Sequence, residues 1–497
     1  MNKEEQERKL VYIPNALVSP EFELLLSKAQ EILDAGENLD LITCSGKKNY
    51  ACSLNIYGQA SICFSCKSRF KSGIKELRGN FRLFFTPPIY LKKNKISLKK
   101  IDQYKVKKIF YKKIDIGLSV YSSYLTLSRD FDLEGFFSHK ILNKLFLCSI
   151  NISDFFIEHF SKNRISEVFL FNARQNHNRP LLRVAQNNRI KANVLEYTSF
   201  FKNYPPVRNF GSNIPSDINF LSKDIEKHWK YKSSKKNYIS NYFRYKKSGY
   251  VVNDKASYIL KQDHNSIPID WDKSKINIVF FTSSQDEYAS FGGDYDKTLF
   301  KDQNTALLKL INLFKKNKDK DFHLWIRVHP YSKGIKWNYN KKILALKKIS
   351  SNIHIIEPDS KVSTYKIMDL CNKVVTYNST TSVEATYWKK PSILLGRIYF
   401  EKLNSSYRPK SIKQIKELIF RKKLRPKSSI SALKLASYWI EGGFRQKHFE
   451  GNMLDGFKFK NRIIKFSFLA KMAYNFGRFK RNYFYQFFNY HLRKVKI

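Results

Sequence analysis

Acidic residues are few: 42 Asp and Glu stand against 91 Lys and Arg, leaving a formal net charge of +49. So large an imbalance points to a polyanionic neighbour, whether nucleic acid, an anionic membrane surface or phosphorylated substrates. Lys, Asn, Ile, Phe and Tyr are all abundant, as an A/T-biased genome would encode, so the total charge says less than its local clusters do. Long apolar runs are missing too. None approaches the roughly 20 residues of a membrane-spanning helix, and the opening MNKEEQERK is charged where a secretory signal is apolar. The expectation is a cytoplasmic protein in a reducing compartment, where six cysteines are thiols or metal ligands rather than disulfides.

What the chain does have is enough for two domains: 497 residues, 42% of them hydrophobic, against about 150 residues per domain. Leu10 to Ser19 reads as a strand and turn, Ser19-Pro20 opens a helix to about Ala35, and Leu39 to Thr43 is a second strand. This β-α-β start suits a doubly wound sheet. Cys44, Cys52 and the pair Cys63 and Cys66 follow. A C-x2-C pair can point two thiolates into one turn, and two more cysteines complete a tetrahedral zinc set; buried free thiols are the alternative.

Tyr90 to Lys113 is densely basic with interleaved aromatic residues, a face for acidic headgroups, nucleic acid or solvent. Ile116 to Asp130 reads as strand-like and then hydroxyl-rich, and Phe136 to Lys162 as one or two helices. Glu167 to Ile190 is a strand, a polar loop at Asn172 to Asn176, and a helix. The strand Ala192 to Phe200 then carries Glu196 at its carboxyl end, where a carboxylate can serve as general base or simply pair with a cation.

Asn203 to Ser216 is irregular, a charged helical stretch runs to about Gln262, and Asp263 to Lys275 reads as the domain linker. A new sheet starts at Ile276, and its first strand ends in Thr282, Ser283, Ser284, Asp286 and Glu287. The strand from His323 ends at Arg327-Val328-His329-Pro330, where proline stops the ladder and leaves His329 at a strand end. After Lys373 to Tyr377 come Asn378, Ser379, Thr380, Thr381 and Ser382, entering a helix that contains Glu384. Four hydroxyls exceed what one helix cap requires, and hydroxyls at a helix N-terminus make an anion site. Pro391 to Gly396 is the last clear strand.

On FFTSSQDEY, RVHP, Ser379-Thr380 followed by Val383-Glu384-Ala385, then Lys390-Pro391 and Gly396, and more loosely FNAR at Phe171 to Arg174, the chain resembles bacterial capsule and surface-polysaccharide biosynthesis glycosyltransferases of the GT-B type. The resemblance covers most of Leu10 to Leu403 and implies an α/β, GT-B-like fold of two Rossmann-like doubly wound domains facing a cleft. It further implies that His329 contacts donor phosphate or assists the leaving group, and that Ser379, Thr380 and Thr381 bind phosphate. Glu384 would hold ribose or base, with Arg327, Ser283, Ser284 and Glu287 as further donor-binding positions. Metal-independent transfer follows, with hydrogen bonds and dipoles stabilising the departing nucleotide. Two positions depart from similar proteins: Ala173 in FNAR and Lys389 before Lys390-Pro391 both stand where glycine is usual.

Asn461 to Ile497 has nine Lys and Arg, eleven aromatics and no acidic residue, which suits an interfacial segment on an anionic membrane. Single-stranded nucleic acid and packing across the domains are the competing readings. The organisation expected is an N-terminal acceptor domain over 1–262, a donor domain over 263–440 and a basic aromatic tail over 441–497. The chain then reads as a glycosyltransferase on the inner face of the cytoplasmic membrane. It would move sugar from a nucleotide-sugar donor to a glycan or lipid-linked acceptor, with Glu196 as base, no cofactor needed for transfer, and zinc at the cysteines. A glycerophosphotransferase or nucleotide-sugar 2-epimerase of similar frame, a basic nucleic-acid-binding protein and a non-catalytic scaffold are the rivals.

Overall fold

Period-2 burial defines the second half of the chain. In strand β7 (Ile276–Phe281), Ile278 and Phe280 face one side of a sheet while Val279 and Phe281 face the other, all at 3% exposure or less. Both faces of such a strand are covered, as parallel sheets require. The computed structural model describes residues 6–46, 52, 54–56, 58–87, 101–128, 131, 133, 136–198, 205–232, 236–248, 258–284, 287–332, 343, 350–452 and 455–477. The chain divides into two compact units, residues 1–215 with 443–497, and residues 216–442.

The first unit holds β1 (Arg8–Ile13), α1 (Glu21–Asp34), β2 (Leu39–Cys44), α2 (Ala60–Ile74), β3 (Phe81–Thr86), α3 (Gln103–Lys107), α4 (Ile116–Ser128), α5 (Phe136–Lys162), β4 (Ile165–Phe171), α6 (Arg179–Asn187), β5 (Lys191–Tyr197) and β6 (Val207–Asn209). The strands order as β3-β2-β1-β4-β5-β6; all pairs are parallel except β5 with β6. Val11 stands opposite Leu41 and Phe169, and Phe22, Leu25 and Leu26 of α1 pack on this face.

The second unit holds α7 (Ile218–Lys232), α8 (Lys236–Ser248), β7, α9 (Gln303–Lys316), β8 (Phe322–Arg327), β9 (Ile353–Ile356), α10 (Thr364–Leu370), β10 (Lys373–Thr376), α11 (Thr381–Tyr387), β11 (Ser392–Leu394), α12 (Ile412–Phe420) and α13 (Ile430–Glu441). Its five strands order as β11-β10-β7-β8-β9, all parallel. Leu307, Leu310 and Phe314 of α9 cover one face, and Tyr365, Ile367 and Met368 of α10 cover the other. Asp302 and Ser363 start α9 and α10 by accepting the free N–H groups of Thr305 and Lys366. Each sheet has the doubly wound Rossmann-like order, whose direction reverses between β1 and β4 in one unit and between β7 and β10 in the other.

The structure moves the expected boundaries. Residues 216–262 join the second unit because α7 and α8 pack on α13 and α11. Tyr438 donates to Asp224 at 2.6 Å, Lys434 pairs with Glu226 at 2.6 Å, and the Phe243 and Tyr387 rings stack 4.0 Å apart. Residues 263–275 are an entry to β7 rather than a linker between units, since Trp271 packs 4.9 Å from Trp325. Residues 449–452 and 456–459 are no part of a separate tail, because β12 (Phe449–Asn452) and β13 (Gly456–Phe459) form a hairpin that buries Phe449, Phe457 and Phe459 in the first unit's core.

Ile116–Ser128 is a helix, not a strand: Ile116, Val120, Tyr121, Tyr124 and Leu125 recur at helical spacing and are buried. The Phe81–Thr86 strand, absent from the sequence expectation, adds an edge to β2. Residues 90–100 of the basic run, 333–342 and 344–349 after His329, and 478–497 lie outside the described residues. Among the described residues no helix is long and apolar enough to cross a membrane.

Candidate functional site

In an open α/β sheet, ligands bind outside the carboxyl ends of the strands where the strand order reverses, because the loops on either side diverge there and leave a crevice. In the second unit that point lies between β7 and β10. Thr282 and Ser283 follow β7, His329 follows β8, and Asn378 to Thr381 follow β10, so the polar clusters of the sequence meet at one end of one sheet. The Ser283 hydroxyl donates to Asn378 Oδ1 across the reversal, and Gln303 Oε1 accepts the Ser283 N–H at 2.7 Å. Ser283 is 4% exposed, so it acts as a strut for the crevice rather than as a ligand group. Ser284 is half-buried and Glu287 is exposed.

His329 is fixed through its backbone. Its N–H donates to Thr282 Oγ1 at 2.8 Å, and its carbonyl accepts the Ser332 hydroxyl at 2.6 Å. Burial, with the Arg327 guanidinium nearby, holds its imidazole down to about 4, so it is neutral at physiological pH. Arg327 itself departs from the expected donor-binding role. It is 1% exposed and donates to the carbonyls of Glu357 and Ser360, which clamps the end of β9 to β8.

The Ser379 hydroxyl donates to Thr381 Oγ1 at 3.0 Å, and Ser379, Thr380 and Thr381 are all half-buried. Thr380 occupies the cap position of α11 without a side-chain cap bond and instead donates to Glu384 Oε1 at 3.2 Å. Glu384, 4% exposed, also accepts from Lys246 Nζ at 2.5 Å on Oε1 and from Tyr365 Oη at 2.7 Å on Oε2. Lys246, which sequence reasoning passed over as one more lysine in a charged helix, lies 5.6 Å over the Trp439 ring. Of the Asp-x-Asp triplets of this unit, those at the amino ends of β7 and β8 are engaged locally, Asp272 holding its own turn at Ser274 and Asp321 pairing with Lys275, and Asp294, after β7, pairs with Lys297.

In the first unit the reversal lies between β1 and β4. Asn172 and Ala173, after β4, both have positive φ, 58° and 56°. That bend lets Asn172 Nδ2 donate to Glu196 Oε2 at 2.5 Å while Arg174 Nε donates to Asn172 Oδ1 at 2.9 Å. Glu196 therefore sits where expected, partly exposed at the end of β5, and its carboxyl is raised mainly by burial. Behind it, at the start of α1, is a second carboxylate that the sequence did not single out. Glu21 is 6% exposed, and burial together with the Glu196 charge pushes it up to about 8. Asn15 Nδ2 donates to its Oε1 at 3.5 Å. Near neutral pH the Glu21 carboxyl therefore keeps its proton.

The four cysteines also belong to this end of the first unit. Cys44, Cys52, Cys63 and Cys66 all line one cavity of about 580 Å³ with Asn15, Leu17, Thr86 and Phe85. Burial raises the Cys44 thiol well above its usual range and pushes Cys52 up to about 12 and Cys66 to about 11, so these three are protonated as free thiols. Among the described residues no three His, Cys, Asp or Glu side chains already stand at metal-ligand spacing.

Residues 219–408 match the family described as capsule polysaccharide biosynthesis protein. Among solved structures the chain is similar to the β-Kdo 2,4 transferase of Thermosulfurimonas dismutans KpsC, at 12% identity over 56% of this chain and 85% of that one, TM-score 0.33. It is also similar to the β-Kdo 2,7 transferase of the same protein, at 14% identity over 56% and 78%, TM-score 0.30. A third is the UDP-GlcNAc 2-epimerase from Neisseria meningitidis bound to UDP-GlcNAc, at 11% identity over 87% and 97%, TM-score 0.27. No curated protein matches the chain.

Proposed function

We propose, on the premise that residues 219–408 belong to the capsule polysaccharide biosynthesis protein family, that the chain is a glycosyltransferase moving sugar from a nucleotide-sugar donor to a surface-polysaccharide acceptor. The observation that carries the proposal is that this matched region contains the whole switch-point cluster of the second unit: Ser283, His329, Asn378, Ser379 to Thr381 and Glu384. The Ser379 to Thr381 hydroxyls take the donor phosphates. Neutral His329 donates an N–H to the phosphate oxygen that departs, a bond that strengthens as negative charge develops there. Glu384 has about four lone-pair positions, of which Lys246, Thr380 and Tyr365 use three. The remaining one, on Oε2, accepts a ribose hydroxyl.

In the first unit, Glu196 accepts the proton of the acceptor hydroxyl while Glu21 keeps its own. The acceptor oxygen bonds to the anomeric carbon, the bond from that carbon to phosphate breaks, and the nucleotide leaves with the electron pair. Support for Glu196 as base is its place at the strand end and the Asn172 bond that orients it.

Attachment to an anionic membrane on the cytoplasmic side completes the proposal. Helical residues 468–477 expose Phe468 at 77%, Leu469 at 69%, Met472 at 56% and Phe476 at 57%, a stripe at i, i+4 and i+8, with exposed Lys465 and Lys471 beside it. Such a face gains from burial among headgroups and from their charge. Sedimentation with anionic vesicles tests this: Phe468→Ser with Phe476→Ser should release the protein, and unchanged sedimentation sinks it.

For the donor site the test is thermal shift with CMP, UDP, GDP and CDP. At 100 times Kd a nucleotide adds about 2.7 kcal/mol of stability. One of the four should raise the Tm, and His329→Ala should weaken that effect. If none does, the donor assignment fails.

A further inference from the structure

Every one of the four cysteine sulfurs in the first unit receives an N–H. Gly46 N–H points to Cys44 Sγ at 3.2 Å and Leu54 N–H to Cys52 Sγ at 3.4 Å, each from two residues ahead. Asn55 Nδ2 donates to Cys63 Sγ at 3.1 Å and Ala16 N–H to Cys66 Sγ at 3.3 Å. A neutral thiol is a weak acceptor, so spending four amide donors on four thiols is poor use of buried polar groups. A thiolate is a strong one, and outer-shell N–H donors are what hold thiolates in place around a metal.

Three further features agree. Cys63 and Cys66 lie one turn apart on α2 and so share a face, while Cys44 comes from the end of β2, and all four line the same cavity. The charge of a tetrathiolate bearing a divalent ion is −2, and Lys67 and Lys71 line that cavity. Gly46, which gives Cys44 its N–H, has φ +63°, a left-handed turn that favours glycine.

We propose that Cys44, Cys52, Cys63 and Cys66 form a structural site for a thiophilic divalent ion, zinc in the first instance. Binding replaces four S–H bonds by four metal–sulfur bonds and releases four protons to solvent, with no change of oxidation state. The sulfurs must draw inward from their present spacing to make those bonds. The consequence reaches Glu21, whose charge couples to the candidate base Glu196: the Ala16 N–H on Cys66 and the Asn15 amide on Glu21 belong to one loop, so the metal fastens α2 to the segment that positions Glu21.

Metal analysis of the full chain, purified without a metal-affinity step, should find about one zinc per protein. Cobalt exchanged into the site should give the intense sulfur-to-cobalt absorption of a tetrahedral thiolate centre. Cys63→Ser with Cys66→Ser should lose both, whereas Cys148→Ser and Cys371→Ser, which change buried cysteines outside the cluster, should keep both. Because the paired variant can fail to fold, thiols are also counted on the wild type. Four should resist a thiol reagent until a chelator is added. Well-folded wild type with under about a tenth of a metal per chain, or with the four thiols reactive at once, overturns the proposal. These readouts do not involve sugar transfer, so their failure leaves the proposed activity standing, and the reverse.

Discussion

Lys389 offers a prediction that depends on backbone geometry alone. It follows Trp388, the last residue of the α11 end, and has φ 59°. Its N–H donates to Thr386 O at 3.1 Å and the next N–H, of Lys390, to Ala385 O at 2.8 Å, the pattern of a helix ended by a left-handed residue. A residue with a Cβ pays roughly 1–2 kcal/mol in that conformation. Replacing it by glycine recovers this, less about 0.4–1 kcal/mol for the greater freedom of glycine in the unfolded chain. The side chain is exposed and makes a 3.2 Å bond to Ser429 Oγ, worth little at the surface. Lys389→Gly should therefore stabilise by about 0.5–1 kcal/mol, a Tm rise of roughly 1–4 °C for a unit of this size. Lys389→Ala, which loses the same lysine contacts and keeps the Cβ, is the control and should not rise. Thermal denaturation of the two variants side by side decides it: equal Tm values, or a fall for glycine, would refute the left-handed assignment.

Three other outcomes follow. Arg327→Met should destabilise by about 3 kcal/mol, because the carbonyls of Glu357 and Ser360 lose a buried cation, while nucleotide affinity of the folded fraction stays within twofold; the opposite pattern would restore Arg327 as a donor ligand. Glu21 is raised from 4.5 to about 8 in the fold, so its contribution to stability is in place below about pH 4.5 and lost as pH rises through about 8. Denaturant midpoints measured from pH 5 to 9 should fall for wild type and fall less for Glu21→Gln. Tyr365→Phe removes one donor to Glu384 and leaves the Lys246 pair, and should weaken nucleotide binding a few-fold while costing about 1.5–3 kcal/mol of stability. A loss of folding with unchanged affinity would make Glu384 structural.

Much of the second unit is legible in its sequence because parallel strands buried on both faces appear as unbroken apolar runs, as in Ile276–Phe281 and Phe322–Arg327. The polar residues that end these runs are then the ones at the crevice. Ile116–Ser128 is hard to read for the same reason: nearly all its residues are apolar or small hydroxyls, and without polar gaps a buried helix and a buried strand look alike. Arg327 illustrates a second limit, since a strand-end arginine gives no local sign of whether its guanidinium meets a ligand or the backbone 30 residues away. Glu21 illustrates a third. In sequence it is an ordinary acidic residue of a first helical turn, and only the fold brings it near Glu196. The FNAR and Lys389 departures were readable as oddities, and the positive φ at Ala173 and Lys389 supplies their physical meaning.

The most direct test of the central claim is product analysis. Purified full-length protein is incubated with a panel of radiolabelled nucleotide sugars and a membrane fraction carrying surface-glycan acceptors, and label is followed into glycan, free sugar and released nucleotide. Transfer of sugar to glycan with one equivalent of free nucleotide, lost in both His329→Ala and Glu196→Gln, is the result expected. Epimerised sugar without transfer, transfer of glycerol phosphate from a CDP-linked donor, or undiminished transfer in both variants would contradict it.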